Sequence, residues 1–164
     1  DGGSDLNWIL NYVEIYNGLQ LDAGTQTSPC EGGFNRLTPI TTYGTTLYGW
    51  DSSLGLDSRD RGAPDNLRRD FVFGSPARTL RISLPNGKYY VYVIIGDISY
   101  SQGTMNIASE GTTVIQNLTT PKGVFKHIAL TTIVSDGELD ITFSRIGGAS
   151  PYWLINCIIV ISIP

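Results

Sequence analysis

"RTLRISLPNGKYYVYVIIGD", residues 78–97, carries the most legible local pattern in this 164-residue sequence. Leu80, Ile82 and Leu84 alternate with polar neighbours, Pro85-Asn86-Gly87 supplies a turn, and an apolar run to Ile95 follows. Because successive side chains of an extended chain point to opposite faces, the stretch predicts two strands joined as a β-hairpin. Residues 123–144, "GVFKHIALTTIVSDGELDITFS", repeat the logic around Asp136-Gly137, with Leu139, Ile141 and Phe143 on one face and Asp140 and Thr142 on the other. Between them, "TMNIASEGTTVIQNL" reads as two short strands around Glu110-Gly111. No segment sustains a helical period.

Composition agrees with the pattern. Hydrophobic residues make up 41% and charged residues 16%, with 19 glycines. Regularly spaced strands of this kind predict an all-β domain, a β-sandwich of two antiparallel sheets with jelly-roll architecture. The length suits one domain with a sizeable core. A formal charge of −4 lacks the basic footprint that nucleic acid demands, so no nucleic-acid partner is expected. No apolar run approaches the roughly 20 residues that span a bilayer, and the N-terminus shows no basic-then-apolar signal segment. No membrane partner is expected. Residues 26–74 are different: rich in Gly, Pro, Asp, Arg and Thr, with little alternation, they read as long loops, the kind of segment that carries function.

One strand-like segment occurs twice. "GGSDLNWILNYVEI" (2–15) aligns without gaps on "GGASPYWLINCIIV" (147–160), pairing Trp8 with Trp153 and Asn11 with Asn156. Repetition at such a distance points to an array of modules. Residues 1–17 then form the closing strand of a preceding similar module, or an extra N-terminal strand of this one, and residues 18–164 form the domain. Trp153 is expected to pack and Asn156 to satisfy backbone groups.

The densest polar stretch is "GWDSSLGLDSRDRGAPDNLRRDFVFG", residues 49–74. Its arginines and aspartates either pin the loop by mutual ion pairs or face a ligand. In the second case Arg59 or Arg61 offers its fork to a hydroxyl pair or a carboxylate on a sugar, and Asp60 accepts from hydroxyls. Trp50 either stacks on the apolar face of a pyranose or packs in the core. A second loop, "GDISYSQGTM" (96–105), adds Asp97 as acceptor and Tyr100 as an aromatic with a polar tip. Catalysis has less support. His127 lies in a strand without a nucleophile motif, and Asp51, Asp57, Asp60, Asp65 and Asp70 supply carboxylates without marking an acid/base pair. Cys30 and Cys157 permit one disulfide or two free thiols.

Taken in order, "LDAGT" (21–25), "RLTP" (36–39), the 49–74 loop, "LPNGKYYVYVIIGD" (84–97), "SEGTTV" (109–114) and the closing "GGASPYWLINCIIV" resemble a known family. They resemble the non-catalytic β-sandwich modules attached to bacterial polysaccharide-degrading enzymes, including pectin-directed esterases, lyases and agarases. These are similar to malectin-like and galactose-binding-like carbohydrate-binding domains. The resemblance runs from about Leu19 to Ile161. It implies a carbohydrate-binding module that targets an attached enzyme to a plant cell-wall or algal polysaccharide. The implied partners are polysaccharide or oligosaccharide, together with catalytic and similar modules in the same secreted parent chain. It also implies a structural calcium near the paired terminal strands, for which Asp22 and Asp140 are the candidate carboxylates, although no compact D-x-D-x-D loop accompanies them. Cys157 departs from the family pattern, standing where a small residue is usual. In an exported protein a Cys30–Cys157 bridge becomes more attractive. Two other readings stand beside this one: an interaction or assembly module acting through its terminal strands, and a small polysaccharide hydrolase or lyase.

Overall fold

The computed structural model describes residues 18–148 and 150–164. The first copy of the repeated stretch, and with it the reading of residues 1–17, lies outside the described residues. The described residues form three sheets. The first comprises β1 (Leu19–Ala23), β2 (Asn35–Leu37), β7 (Gly87–Gly96), β10 (Phe125–Val134) and β13 (Cys157–Ile163), in the order β10-β7-β13-β1-β2. The second comprises β3 (Tyr48–Trp50), β6 (Arg78–Ser83), β8 (Gln102–Ser109), β9 (Thr112–Thr120) and β11 (Glu138–Arg145), in the order β3-β6-β11-β8-β9. A small third sheet joins β12 (Trp153–Ile155), β5 (Asp70–Gly74) and β4 (Leu56–Asp60) in that order. Among the described strands, β1 and β2 are the pair that runs parallel; β1 also pairs antiparallel with β13.

The core lies between the two large sheets. Leu21, Val91, Val93, Ile158 and Val160 from the first meet Leu80, Ile82, Met105, Ile107, Leu139, Ile141 and Phe143 from the second. Burying each such side chain contributes about 1.5–3 kcal/mol, which is why the alternating pattern dictates which face turns inward. This is the β-sandwich that the sequence predicts. Trp153 is fully buried, stacks on Phe143 at 5.5 Å, and donates its indole N–H to the Pro76 carbonyl at 2.7 Å.

Two expected hairpins are not hairpins. β6 pairs with β3 and β11, whereas β7 pairs with β10 and β13. The chain therefore crosses from one sheet to the other at Pro85-Asn86-Gly87, and crosses back between β10 and β11 at Asp136-Gly137. Alternation specifies which side chains face the core; it does not say from which side they face it. The crossings lie side by side, with the Leu84 amide donating to the Gly137 carbonyl at 3.0 Å and the Asn86 side chain to the Ser135 carbonyl at 2.9 Å. The Glu110-Gly111 turn is a true hairpin. Both residues have positive φ (49° and 71°), as a two-residue I′ connection requires, and Ser109 pairs with Thr112.

Residues 26–74 are not continuous loop: they contain β2, β3, β4 and β5. β5, "DFVFG", is nearly buried throughout, so it shows no alternation to read. Asn156, between β12 and β13, secures this added sheet. Its amide oxygen accepts from the Gly96 amide at 2.8 Å and its amide nitrogen donates to the Asp70 carbonyl at 2.8 Å, the backbone-satisfying role expected of it.

Candidate functional site

One face of the third sheet forms the floor of a cleft of about 360 Å³. In register, Arg59 on β4 lies opposite Phe71 on β5, and Leu154 on β12 lies opposite Phe73. Arg61 continues the β4 face two residues on. The walls come from the β7–β8 loop, through Asp97, Tyr100, Ser101 and Gln102, and from Ser150, Pro151 and Tyr152 ahead of β12. Arg59, Arg61, Asp97 and Tyr100, singled out from two loops far apart in sequence, thus line one cavity.

The wall is held by one ion pair. Arg61 donates Nε to Asp97 Oδ1 at 3.1 Å and Nη2 to Oδ2 at 2.8 Å. Asp97, 1% exposed, also accepts from the Ser99 amide at 2.8 Å and the Gln102 side chain at 3.1 Å. The Arg61 guanidinium lies between aromatic rings, 4.9 Å from the Tyr100 centroid and 5.5 Å from that of Phe71. A buried carboxylate needs such partners, and a flat cation over a ring face is favourable as well. Phe73 meets Phe71 at 5.8 Å and Tyr152 edge-on at 4.9 Å. Tyr100 and Tyr152, 61% and 41% exposed, present their rings at the mouth. Ser150 steadies Tyr152: its hydroxyl accepts from the Tyr152 amide at 3.2 Å, and its carbonyl accepts from Arg145 Nε at 3.2 Å.

Three expectations need correction. Trp50 is fully buried, 5.6 Å from Trp153 and 6.1 Å from Phe143, with its indole N–H donated to the Thr38 carbonyl at 3.1 Å, so it has no face to offer a sugar. Asp60 does not line the cleft. Strand alternation turns it away from Arg59 and Arg61, and Arg69 forks onto it at 2.9 and 2.8 Å, holding its carboxyl below the usual carboxylate range. Asp97 lines the cleft as a positioning residue, its lone pairs already engaged, and is not a free acceptor. Phe71, Phe73, Gln102 and Tyr152 escaped the sequence reading. The i, i+2 spacing in "DFVFG" was the available signal for the two phenylalanines, and "SPYW" hid Tyr152 behind its buried neighbour.

A second polar cluster lies where the β1–β2 segment folds over the outer face of the first sheet. Asp22 Oδ2 accepts from the Glu31 amide at 2.7 Å, while Asp70 Oδ2 accepts from the Ser28 hydroxyl and from the Thr25 amide at 3.3 Å. Oδ1 of each carboxylate is buried without a partner among the described residues. Burial, chiefly, pushes Asp22 up to about 6, and it raises Asp70 as well. Calcium takes about six or more oxygens. The carbonyls of Thr25 and Ser28, which would extend an oxygen shell here, each already accept from Arg36 at 2.5 Å. The residues do not make a calcium cage, and among the described residues no three His, Cys, Asp or Glu side chains converge on one point. Asp140 cannot assist Asp22. Leu139 and Ile141 face the core, so Asp140 points out of the second sheet, on the opposite side of the sandwich.

The cysteines are not bridged. Cys157 is buried opposite Asp22 in register, and burial pushes its thiol up to about 12. Cys30 points its thiol at the Phe34 carbonyl, 3.5 Å away, and the Asp22 carboxylate acts on both sulfurs. His127 is an exposed strand residue bonded through Nδ1 to the Tyr92 hydroxyl.

No family model matches the chain. Over 141 residues, 84% of its length, it is 36% identical to β-agarase A of Zobellia galactanivorans, and the match covers 25% of that protein. The chain is thus a homologue of one segment of that protein and spans a quarter of its length. The YXIM protein of Bacillus subtilis superposes with a TM-score of 0.73 at 20% identity, over 89% of this chain and 40% of that one. A calcium-binding mutant of Bacteroides uniformis β-glucuronidase 2 superposes at 0.69 with 16% identity, over 90% of this chain and 18% of the other. Both likenesses are of fold: the same β-sandwich occurs as one part of larger proteins.

Proposed function

We propose that the chain is a non-catalytic carbohydrate-binding module that seats a polysaccharide in the third-sheet cleft and holds an attached, secreted enzyme near its substrate. The observation that carries this is the cleft mouth, where the exposed rings of Tyr100 and Tyr152 flank an aromatic floor beside free polar groups. The C–H-rich face of a pyranose is apolar and packs on such rings, while its hydroxyls reach the rim. Among the described residues, the one carboxylate lining the cleft, Asp97, is committed to Arg61. Glycoside hydrolysis calls on two carboxyl groups in complementary states, so the arrangement favours binding over cleavage. Homology to a quarter of a β-agarase supports a module within a longer enzyme. Binding by one site is weak, because sugar hydroxyls exchange water for protein at little net gain. The module works by raising local concentration.

Affinity electrophoresis through gels containing agarose or pectic polymer tests the assignment. Retention should fall about two- to tenfold in Tyr100→Ala and in Tyr152→Ala, since ring stacking is worth about 0.5–1.5 kcal/mol. Unchanged retention with an unaltered melting temperature would place the site elsewhere.

A second reading rests on the outer face of the first sheet, which exposes Ile133 (66%), Tyr90 (38%) and Ile161 (36%) on adjacent strands. Such a face suits association with another protein surface. Self-association in sedimentation without polysaccharide retention would favour it.

A further inference from the structure

Resting on the carbohydrate reading of the cleft, we infer that its ligand is a sugar bearing an anionic substituent, a sulfate ester or a carboxylate, and that Arg59 receives that group. The charges in the cleft do not balance. Arg61 and Asp97 neutralise each other. Arg59, on the cleft floor, forms no ion pair among the described residues, where the pairs are Arg61–Asp97, Arg68–Asp65, Arg69–Asp60 and Arg81 with Glu138 and Asp140. Asp57 precedes it by two residues on the same face of β4, but its carboxylate turns back to the Ser58 amide at 2.7 Å and does not line the cavity.

The rim adds to the excess. Arg145 uses Nε on the Ser150 carbonyl and, among the described residues, meets no carboxylate. A chain with net charge −4 thus sets on the cleft floor an arginine that has no ion partner among the described residues, with Arg145 behind Ser150 at the rim. The floor residue is an arginine, whose planar fork matches the paired oxygens of a sulfate or carboxylate. A neutral sugar would seat on the tyrosines and leave that fork to water. An anionic one engages both.

Isothermal titration of the 164-residue chain with a sulfated galactan (carrageenan oligosaccharides), an oligogalacturonate and neutral agaro-oligosaccharides tests this. At least one anionic probe should bind about three- to tenfold more tightly than the neutral one, the range expected of a partly solvated charge-assisted contact. Added salt should shrink that ratio. Arg59→Ala should collapse the ratio towards one. Lys88→Ala, which removes a cation at the far end of β7, should leave it intact and so excludes general attraction of polyanions. Whichever anionic probe is preferred identifies the substituent. A ratio near one, or a ratio that Arg59→Ala does not move, overturns the inference while leaving the carbohydrate-binding reading in place. Failure of all three probes to bind removes that reading, and this inference with it.

Discussion

Asp97 and Asp70 are buried to the same degree, 1% exposed each, yet they stand in opposite electrostatic circumstances. Asp97 has the Arg61 fork on both oxygens and two further donors. Asp70 satisfies only Oδ2, and its neighbour Asp22 likewise leaves Oδ1 without a partner among the described residues. Depth alone therefore says little about what a buried carboxylate does. At Asp97 full pairing makes a rigid wall on which the cleft residues are set before any ligand arrives. At Asp22 and Asp70 incomplete pairing makes ionisation expensive, so the proton is retained to higher pH. Gly24 shows how closely that second site is packed: a Cβ there would lie 1.8 Å from Asp70 Oδ2.

Removing the paired carboxylate should have the largest effect. Asp97→Ala leaves a half-buried guanidinium without its partner, and is expected to cost about 3 kcal/mol in urea unfolding and to abolish polysaccharide retention. A loss below about 1 kcal/mol would show the two sites to be energetically alike. The unpaired site should respond in the opposite sense. Asp22 has a folded pKa of about 6 against 3.8 unfolded, so its contribution to stability is fully present below 3.8 and is lost as pH rises through about 6. Asp22→Asn should accordingly be more stable than the parent at pH 7.5, by on the order of 2 kcal/mol, and should flatten the decline between pH 4.5 and 7.5. Asp70, raised in the same direction, leaves a residual slope. Parallel pH profiles for parent and variant would mean that Asp22 is not the titrating group. The smallest effect belongs to Asp65, whose pair with Arg68 is exposed on both sides. Asp65→Asn should change stability by about 0.5 kcal/mol or less, and a larger change would make exposure, too, a poor guide.

How far the sequence foretold this arrangement differs from residue to residue. The inward faces of β6, β7, β10 and β11 were legible because burial imposes a period of two. Their division between sheets was not, since a crossing and a hairpin place the same residues inward. Arg59, Arg61, Asp97 and Tyr100 are legible by chemical type, and type cannot separate Arg61 from Asp60; the parity of β4 does that, and "LDSRD" carries no apolar alternation to mark a strand. Trp50 illustrates the same gap, because an indole suits a sugar face and a core equally well. Tyr152 and the phenylalanines of β5 become site residues only through the pairing of β12 with β5, a contact between segments about eighty positions apart.

The register of the first sheet has a geometric outcome. Leu19 lies beside Val160, and Ile163 lies beside Lys88, whereas Cys157 lies beside Ile94, close to Gly96 and the cleft wall. Along β13 from the level of Cys157, Leu19 therefore stands about 10 Å and Ile163 about 20 Å away from the cleft end of the sheet. The cleft therefore opens at the pole of the first sheet opposite to Ile163, so a ligand seated there meets the sandwich end-on.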